Sequence, residues 1–512
     1  MKRAERRRWH GCQRLIDIFV ESEHGRLQSL KHLHIVGSER PHPYLYYQFG
    51  STRLDPRIIW VPRKPVFENL EELHLVRVDC AELCAVEFLP PVSLFNLKVL
   101  KVEACYNWGN ILLPSTLLQR LLNLEVLNCE KMDGSKFVFG YEEALLESKQ
   151  VKLRKIELSY LPTVSLCEGH APPAMFQNLQ SLSITDCKLL QGSLFTSDGA
   201  QCLSQLNCLE LHKCKRLERI VEASNKKIIL PKLKKLTLGE LPMFYEGSTF
   251  DIECPSLEHL NLSSLPTVSL GYAPSAMFQN LQSLYISNCK LLEGSLFTYD
   301  AALCLSQLNF LELHKCKRLE RIVEASNKKV ILPKLKKLTL SEVPKLYYGS
   351  ATFDIVCPSL EKLSLTGCPP SQYMEVRKID LFDLATVSIC NGPSRLPPAV
   401  FQNLQSLSIE WCKLEGSLFT YDVAQCLSQL SSLKLKNCPQ LKRIVEASNK
   451  KIILPELKQL SLWYLPMLYY ESATFDVVCP SLEELHLWDC TKFSASSSDF
   501  HSRKQVRLGW WR

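Results

Sequence analysis

The sequence predicts an α/β repeat solenoid, in which one short unit is stacked many times along the chain. A long block recurs three times: MFQNLQSLSI begins at Met175 and returns, slightly altered, at Met277 and Val400. Inside each block a shorter pattern, Leu-x-x-Leu-x-Leu/Ile, recurs every 24 to 27 residues, as at Leu179 and Leu206. The 512 residues are 46% hydrophobic and 22% charged, which excludes a disordered or collagen-like chain.

Each unit predicts one strand of a parallel β-sheet. Leu182 and Ile184 alternate with polar residues, so their side chains share one face of a strand. One unit cannot bury these side chains alone, and stacking at about 4.8 Å per strand buries them. This consensus and period are the leucine-rich-repeat signature. We count about eighteen units between Leu30 and Leu482 and expect a horseshoe with a concave sheet and a convex side of irregular, 3₁₀ and short helical segments.

The pattern divides the chain into three parts. Residues 1–26 are basic and poorly patterned, residues 27–491 form the solenoid, and residues 492–512 do not continue the period. Because solenoid ends need polar caps, the first part is interpreted as a poor cap or the scar of a truncation, and the tail as disordered or a weak cap. The solenoid contains a duplicated block of four repeats, at about 176–275, 278–399 and 401–491.

The repeat itself explains most of the 22 cysteines. Nine occupy the ninth position of a unit, where a thiol can pack inward and donate weakly to backbone carbonyls. Two further triplets are equivalent across the three blocks, and no Cys-x-x-Cys pair suggests a metal site. We therefore expect structural thiols. The periodic cysteines are Cys105, Cys187, Cys214, Cys289, Cys316, Cys368, Cys412, Cys438, Cys490, Cys202, Cys304, Cys426, Cys254, Cys357 and Cys479.

No sequence motif indicates an enzyme. No glycine precedes a lysine, which excludes a phosphate-binding loop, and neither a Gly-x-Ser-x-Gly elbow nor a His-Glu-x-x-His helix occurs. His212 and His314 lie at equivalent positions that we interpret as a solvated strand face. The net charge is only +8 and aromatic residues do not interleave with the basic ones, so nucleic acid is not the expected partner. Lysine pairs expected in solvated return loops are Lys226-Lys227, Lys328-Lys329 and Lys450-Lys451.

Differences between the three blocks predict where a partner binds. Core residues are nearly copied, whereas solvent-side strand positions differ and aromatic residues accumulate in the third block. Trp463 and Trp488 take the seventh position of adjacent units, about 5 Å apart on the open face. Aromatic residues are enriched among interface hot spots. Alternatively, these side chains pack on the next strand or cover the C-terminal edge. The predicted protein-binding residues of the concave face are Tyr285, Phe310, Trp411, Trp463, Tyr464 and Trp488.

Four phrases are characteristic of one family: FQNLQSLSITDCKLLQGSLF at Phe176, CKRLERIV at Cys214, LPKLKKLTLGELP at Leu230 and CPSLEHLNL at Cys254, in repeats that end alternately in Cys and Leu-Pro. On these phrases, the chain resembles the leucine-rich-repeat region of plant intracellular coiled-coil nucleotide-binding leucine-rich-repeat disease-resistance proteins. The resemblance covers residues 66–490. It implies a module of the plant defence response that senses a pathogen effector or a modified, guarded host protein.

The same family places a coiled coil and a nucleotide-binding domain before its repeats. The resemblance therefore implies ADP or ATP only if a nucleotide-binding domain lies upstream and acts in cis, and no cofactor is expected in this chain. Two alternatives stay open, a substrate-receptor or adaptor protein of the ubiquitin-ligase type and a truncated, non-functional receptor fragment. The sequence has no signal peptide and no long apolar run, so we expect a cytoplasmic protein without a membrane partner.

Overall fold

The computed structural model forms two compact units, Met1–Leu257 and Glu258–Arg512, which are described separately. The division falls inside the first four-repeat block predicted from the sequence. Within these units the structure describes residues 6–10, 29–37, 67–78, 90, 92–105, 108–132, 134–140, 151–168, 175–222, 228–244, 252–266, 270, 273–324, 330–346, 355–366, 378–382, 402–412, 414, 416–446, 452–469, 477–490 and 505–509.

The first unit is built on a parallel sheet with one five-residue strand per repeat. In the strand Ser181–Thr185, for example, Leu182 and Ile184 are buried, and the alternating residues Ser181, Ser183 and Thr185 are partly exposed. This pattern arises because successive side chains of a strand point to opposite faces. In spatial order the strands are β1 (Arg6–His10), β2 (His32–Val36), β3 (Glu72–Val76), β4 (Val99–Glu103), β6 (Val126–Glu130), β8 (Lys155–Ser159), β10 (Ser181–Thr185), β12 (Cys208–His212) and β15 (Lys235–Gly239).

The second unit repeats this arrangement, again with parallel pairing in register. Leu435, for example, pairs with Ile409 on one side and Leu462 on the other. In spatial order its strands are β17 (His259–Ser263), β18 (Ser283–Ser287), β20 (Phe310–His314), β23 (Lys337–Ser341), β25 (Lys362–Thr366), β26 (Lys378–Phe382), β27 (Ser406–Glu410), β29 (Ser432–Lys436), β32 (Gln459–Trp463), β34 (Glu484–Trp488) and β35 (Gln505–Gly509).

Short strands and single helical turns return the chain between the main strands. In the first unit these are β5 (Ile111–Leu113), β7 (Phe137–Gly140) and β9 (Ser165–Glu168), the pairs β11 (Gln191–Phe195) with β13 (Arg216–Val221) and β14 (Ile228–Ile229) with β16 (Ile252–Glu253), and helices α1 (Ser115–Leu118) and α2 (Ser197–Gln201).

The second unit has equivalent return segments. These are the pairs β19 (Gly294–Phe297) with β21 (Leu319–Val323), β22 (Val330–Ile331) with β24 (Ile355–Val356), β28 (Gly416–Phe419) with β30 (Leu441–Val445) and β31 (Ile452–Ile453) with β33 (Val477–Val478), helices α3 (Tyr299–Leu303) and α4 (Tyr421–Gln425), and a 3₁₀ helix at Ser275–Phe278.

Together these elements confirm the predicted repeat solenoid with a parallel sheet. Its core consists of the repeated leucines. The phenylalanines of the first two FQNL phrases add edge-to-face ring contacts, Phe176 with Phe195 and Phe278 with Phe297, both at 5.5 Å between centroids. The count of eighteen repeats and the horseshoe curvature stay predictions. None of the helices in the described part of the chain is long and apolar enough to cross a membrane.

A residue with left-handed backbone conformation follows most main strands, at the eighth position of the repeat. Its backbone N–H donates to the last carbonyl of the next strand, as from Lys213 to Gly239 at 2.9 Å, so each turn is tied to its neighbour. The positive φ turns the chain inward for the ninth residue. These residues, with φ between 50° and 59°, are Arg77, Ala104, Lys131, Tyr160, Asp186, Lys213, Glu240, Ser264, Asn288, Lys315, Glu342, Trp411, Asn437, Tyr464 and Asp489.

The described ninth-position cysteines are buried, which confirms that they pack inward. The thiol of Cys214 lies 3.6 Å from the carbonyl oxygen of His212 and 3.9 Å from that of Ile184, so it donates across the strand ends. Burial raises the pKa of Cys214 to about 11 and that of Cys438 to about 12, and both thiols stay neutral. Cys368 lies outside the described residues.

The two other cysteine triplets differ from each other. Cys254, Cys357 and Cys479 are buried, as predicted. Cys202, Cys304 and Cys426 follow helices α2, α3 and α4 and are partly exposed, because a C-terminal helix position on a return segment faces solvent on one side.

Both terminal segments contain a strand that the repeat pattern did not indicate. Strand β1 pairs in parallel with β2, and β35 pairs in parallel with β34. Residues 6–10 and 505–509 therefore extend the sheets of their units. Of the two interpretations of the tail, pairing of residues 505–509 with β34 fits the weak cap.

Candidate protein-binding face

The open face of each sheet carries the side chains that alternate with the buried leucines. On strand β32 these are Gln459, Ser461 and Trp463, and the equivalent positions of neighbouring strands form rows across the sheet because the pairing is in register. Packing in the core does not dictate the residues of these rows. Binding properties can therefore vary here without loss of the fold.

Trp463 and Trp488 form an aromatic pair on this face in the third block. They are register partners on β32 and β34, their ring centroids are 6.4 Å apart, and the planes are tilted by 35°. The two rings lie next to each other, as the repeat register predicts, and both are partly exposed; that they bind a partner stays a prediction. The indole N–H of Trp463 is buried without a hydrogen-bond partner among the described residues, an arrangement that costs about 1–3 kcal/mol.

Charged side chains border the aromatic pair. Lys436, the register partner of Trp463 on β29, holds its Nζ 5.3 Å from the Trp463 ring centroid, a cation–π contact worth about 0.5–1 kcal/mol at an exposed site. Lys434 on the same strand forms a 2.6 Å ion pair with Glu410. Lys436 was not among the predicted residues, although its seventh position beside Trp463 is visible in the repeat register.

Trp411 and Tyr464 lie one residue beyond their strands, and not within them as the sequence comparison implied. Both are left-handed eighth-position residues, with φ of 59° and 54°. Their backbone N–H groups donate to the carbonyls of Lys436 and Trp488, so both residues lie at strand ends. Tyr464 follows Trp463 directly, whereas Trp411 follows the end of β27, two strands from β32. Their side chains are 54% and 40% exposed, so they extend the same candidate surface at its rim.

Tyr285 and Phe310 belong to a different part of the second unit. They lie on β18 and β20, where the Tyr285 ring stands 5.4 Å from the ring of His314 and Phe310 is 44% exposed. Strands β23, β25, β26, β27 and β29 separate β20 from β32. At about 4.8 Å per strand the separation is roughly 29 Å, so the six predicted residues form two clusters.

The predicted solvated histidines contact carboxylates. The Nε2 of His212 lies 3.5 Å from Glu240, and that of His314 lies 3.8 Å from Glu312. Both side chains remain partly exposed, as the sequence interpretation required. The lysine pairs expected in solvated return loops lie outside the described residues.

A parallel sheet with one Leu-x-x-Leu-x-Leu strand per turn, inward-facing ninth residues and an open polar face defines a leucine-rich-repeat solenoid, a scaffold for protein interaction. Comparison with family models agrees. The model described as "Plant disease resistance protein RPS2-like, leucine-rich repeats" matches residues 69–167, 152–246, 251–369 and 375–497, and the chain belongs to this family. A comparison with curated protein sequences finds no match.

Proposed function

We propose that this chain is a non-enzymatic recognition module of plant defence. It senses a pathogen effector, or a host protein altered by one, through the open face of its third block. The observation that carries this proposal is the Trp463–Trp488 pair on a face where the core demands no aromatic residue. Membership of a plant disease-resistance family supports the defence context.

The geometry of the pair suits a contact with another protein. Two large rings present adjacent apolar surface, and Lys436 beside them can meet a carboxylate or a carbonyl of the partner. Buried tryptophans at interface centres cost about 2 kcal/mol or more when truncated. If binding of a partner allowed the Trp463 ring to turn, the indole N–H of Trp463 could donate to an acceptor. This hydrogen bond would form only in the complex and would add to the binding free energy.

The test compares the full chain with a Trp463→Ser/Trp488→Ser variant. Each is screened by co-purification against secreted proteins of plant pathogens and intracellular plant proteins, and the affinity of any captured partner is then measured by calorimetry. We expect the double substitution to weaken binding by about 30-fold or more, which is 2 kcal/mol. Tyr160→Ser, which removes a 50% exposed aromatic in the first unit, is the matched control and should leave affinity unchanged. Equal affinities of wild type and double variant would refute the assignment.

A further inference from the structure

The first unit carries a separate groove at strands β1 to β3. It has a volume of about 420 Å³. Among the described residues that line it, six side chains are polar: five are basic or imidazole groups, and the sixth is a glutamate. They are Arg7, Arg8, His32, His34, Glu72 and His74.

Register pairing aligns four of the basic side chains of this region in one row. Arg8 on β1 pairs with His34 on β2, His34 with His74 on β3, and His74 with Lys101 on β4. The rings of His34 and His74 are stacked, with centroids 4.3 Å apart and planes within 8°. Two imidazoles at this distance repel each other when both are protonated, and the arginine and lysine at the ends of the row add to the repulsion.

Glu72, the one carboxylate among the described residues that line the groove, already has partners. Glu72 accepts a 2.8 Å hydrogen bond from Lys101 and lies 3.2 Å from the Nδ1 of His32. The hydrogen bond from Lys101 is the main cause that lowers the pKa of Glu72, so this carboxylate stays charged and bound to its neighbours. Arg8 therefore adds a positive charge that Glu72 does not neutralise, and protonation of His74 would add another, so an anion can bind in the groove.

We propose that this groove binds a short acidic segment of a partner protein, and that its affinity for that segment rises as the pH falls from neutral to mildly acidic. The site is separate from the third-block surface proposed above, and nothing in its geometry depends on that surface.

The pH dependence follows from the charges that face His74. Burial is the first cause that lowers the pKa of His74 below its usual value of 6.5; Lys101 and Arg8 lower it further, and Glu103 and Glu72 oppose them. His74 is therefore neutral at neutral pH. A bound carboxylate would favour the protonated ring, so the complex holds more protons than the free protein. By linkage, a complex that takes up protons is stabilised as pH falls.

The charges further along the sheet favour a short acidic peptide over a nucleic acid. Beyond Lys101 the row continues with Asn128, which donates to Glu157 at 2.8 Å. The adjacent row carries Glu103 and Glu130. A phosphate backbone that continued along these strands would meet carboxylates, whereas a segment of a few acidic residues would end within the basic part.

The test uses the full chain and a fluorescein-labelled hexaglutamate peptide, with anisotropy measured at pH 7.5, 6.5 and 5.5 at constant ionic strength. Hexaglutamine and a single-stranded oligothymidylate of similar length are the comparison probes. We expect hexaglutamate to bind best of the three, with an affinity that rises about threefold to tenfold from pH 7.5 to 5.5, since one unit of pKa shift corresponds to a factor of ten.

Four variants separate this site from structural effects. His74→Gln should abolish most of the pH dependence, and His212→Gln, which removes an open-face histidine elsewhere, should not. Glu72→Gln should strengthen hexaglutamate binding, a gain that misfolding cannot produce. Trp463→Ser/Trp488→Ser should leave it unchanged, so the two proposed surfaces succeed or fail independently. Binding of hexaglutamine or oligothymidylate as tight as hexaglutamate, or an undiminished pH dependence in His74→Gln, would overturn the proposal.

Discussion

At the scale of single residues, the eighth position of the repeat has a left-handed backbone conformation that glycine would adopt more easily. Lysine, glutamate, tyrosine and tryptophan all adopt positive φ there, at a cost of roughly 1–2 kcal/mol that glycine would not pay. This cost is offset because the turn directs the ninth residue into the core and allows the backbone N–H of the eighth residue to donate to the end of the next strand.

This cost predicts a gain in stability from one substitution. Lys213→Gly, at φ 58°, should raise the free energy of unfolding by about 0.5–1 kcal/mol, the relief being partly offset by the flexibility of glycine in the unfolded chain. Ser183→Gly within strand β10 should lower it by about as much. Chemical denaturation of both variants measures the difference, and destabilisation by Lys213→Gly would show that the left-handed turn is not strained.

The cysteines yield a second residue-scale prediction. The thiolate is the reactive form, and burial raises the pKa of Cys254 and Cys479 to about 12, so these residues should resist alkylation by iodoacetamide in the native protein at pH 8. The partly exposed Cys202, Cys304 and Cys426 should react first. Peptide mass spectrometry after timed labelling distinguishes the groups, with urea-unfolded protein as the fully reactive reference. Equal native rates for Cys254 and Cys202 would contradict the burial pattern.

At the scale of elements, the three five-residue helices of the equivalent blocks differ in their N-caps. Thr196 and Thr298 accept a hydrogen bond from the backbone N–H three residues on, at 3.2 and 3.3 Å, whereas the equivalent Thr420 makes no such bond. Thr298→Ala should therefore cost about 1 kcal/mol and Thr420→Ala clearly less, as measured by denaturation of the two variants. Equal losses would mean that the threonines act through packing and not through capping.

The strands of the main sheets could be predicted from the sequence because the alternation of apolar and polar residues is visible within a single repeat. Leu182 and Ile184 alone place β10. Two-residue strands such as β14 could not be predicted in this way, because they form only by pairing with a neighbouring return segment. Trp411 was assigned to a strand because it follows Glu410 in the repeat. The pattern of leucines does not reveal that the eighth residue of a repeat has a left-handed backbone conformation. The groove at strands β1 to β3 was not predicted because its lining residues come from three different strands, and the first of these, β1, is not indicated by the repeat pattern.

At the scale of the whole molecule, stability is a sum over neighbouring repeats. An inner strand such as β29 pairs with the strand before and the strand after it, and the leucines of one repeat pack on those of its neighbours. Damage to one repeat should therefore spread to adjacent repeats before it reaches distant ones, and each unit has its own internal contacts to resist it.

A cavity in the third block tests this nearest-neighbour behaviour. Leu435 is fully buried in β29 between Ile409 and Leu462, so Leu435→Ala should destabilise its surroundings by about 2–5 kcal/mol. Native hydrogen exchange should show faster exchange in β27, β29 and β32 and unchanged protection in β10 and β12 of the first unit. Ser432→Ala, on the open face of the same strand, is the control and should change stability by less than about 0.5 kcal/mol. Uniformly accelerated exchange in both units would mean that the repeats unfold as one cooperative body, and third-block variants could then not be interpreted as local perturbations of the proposed binding face.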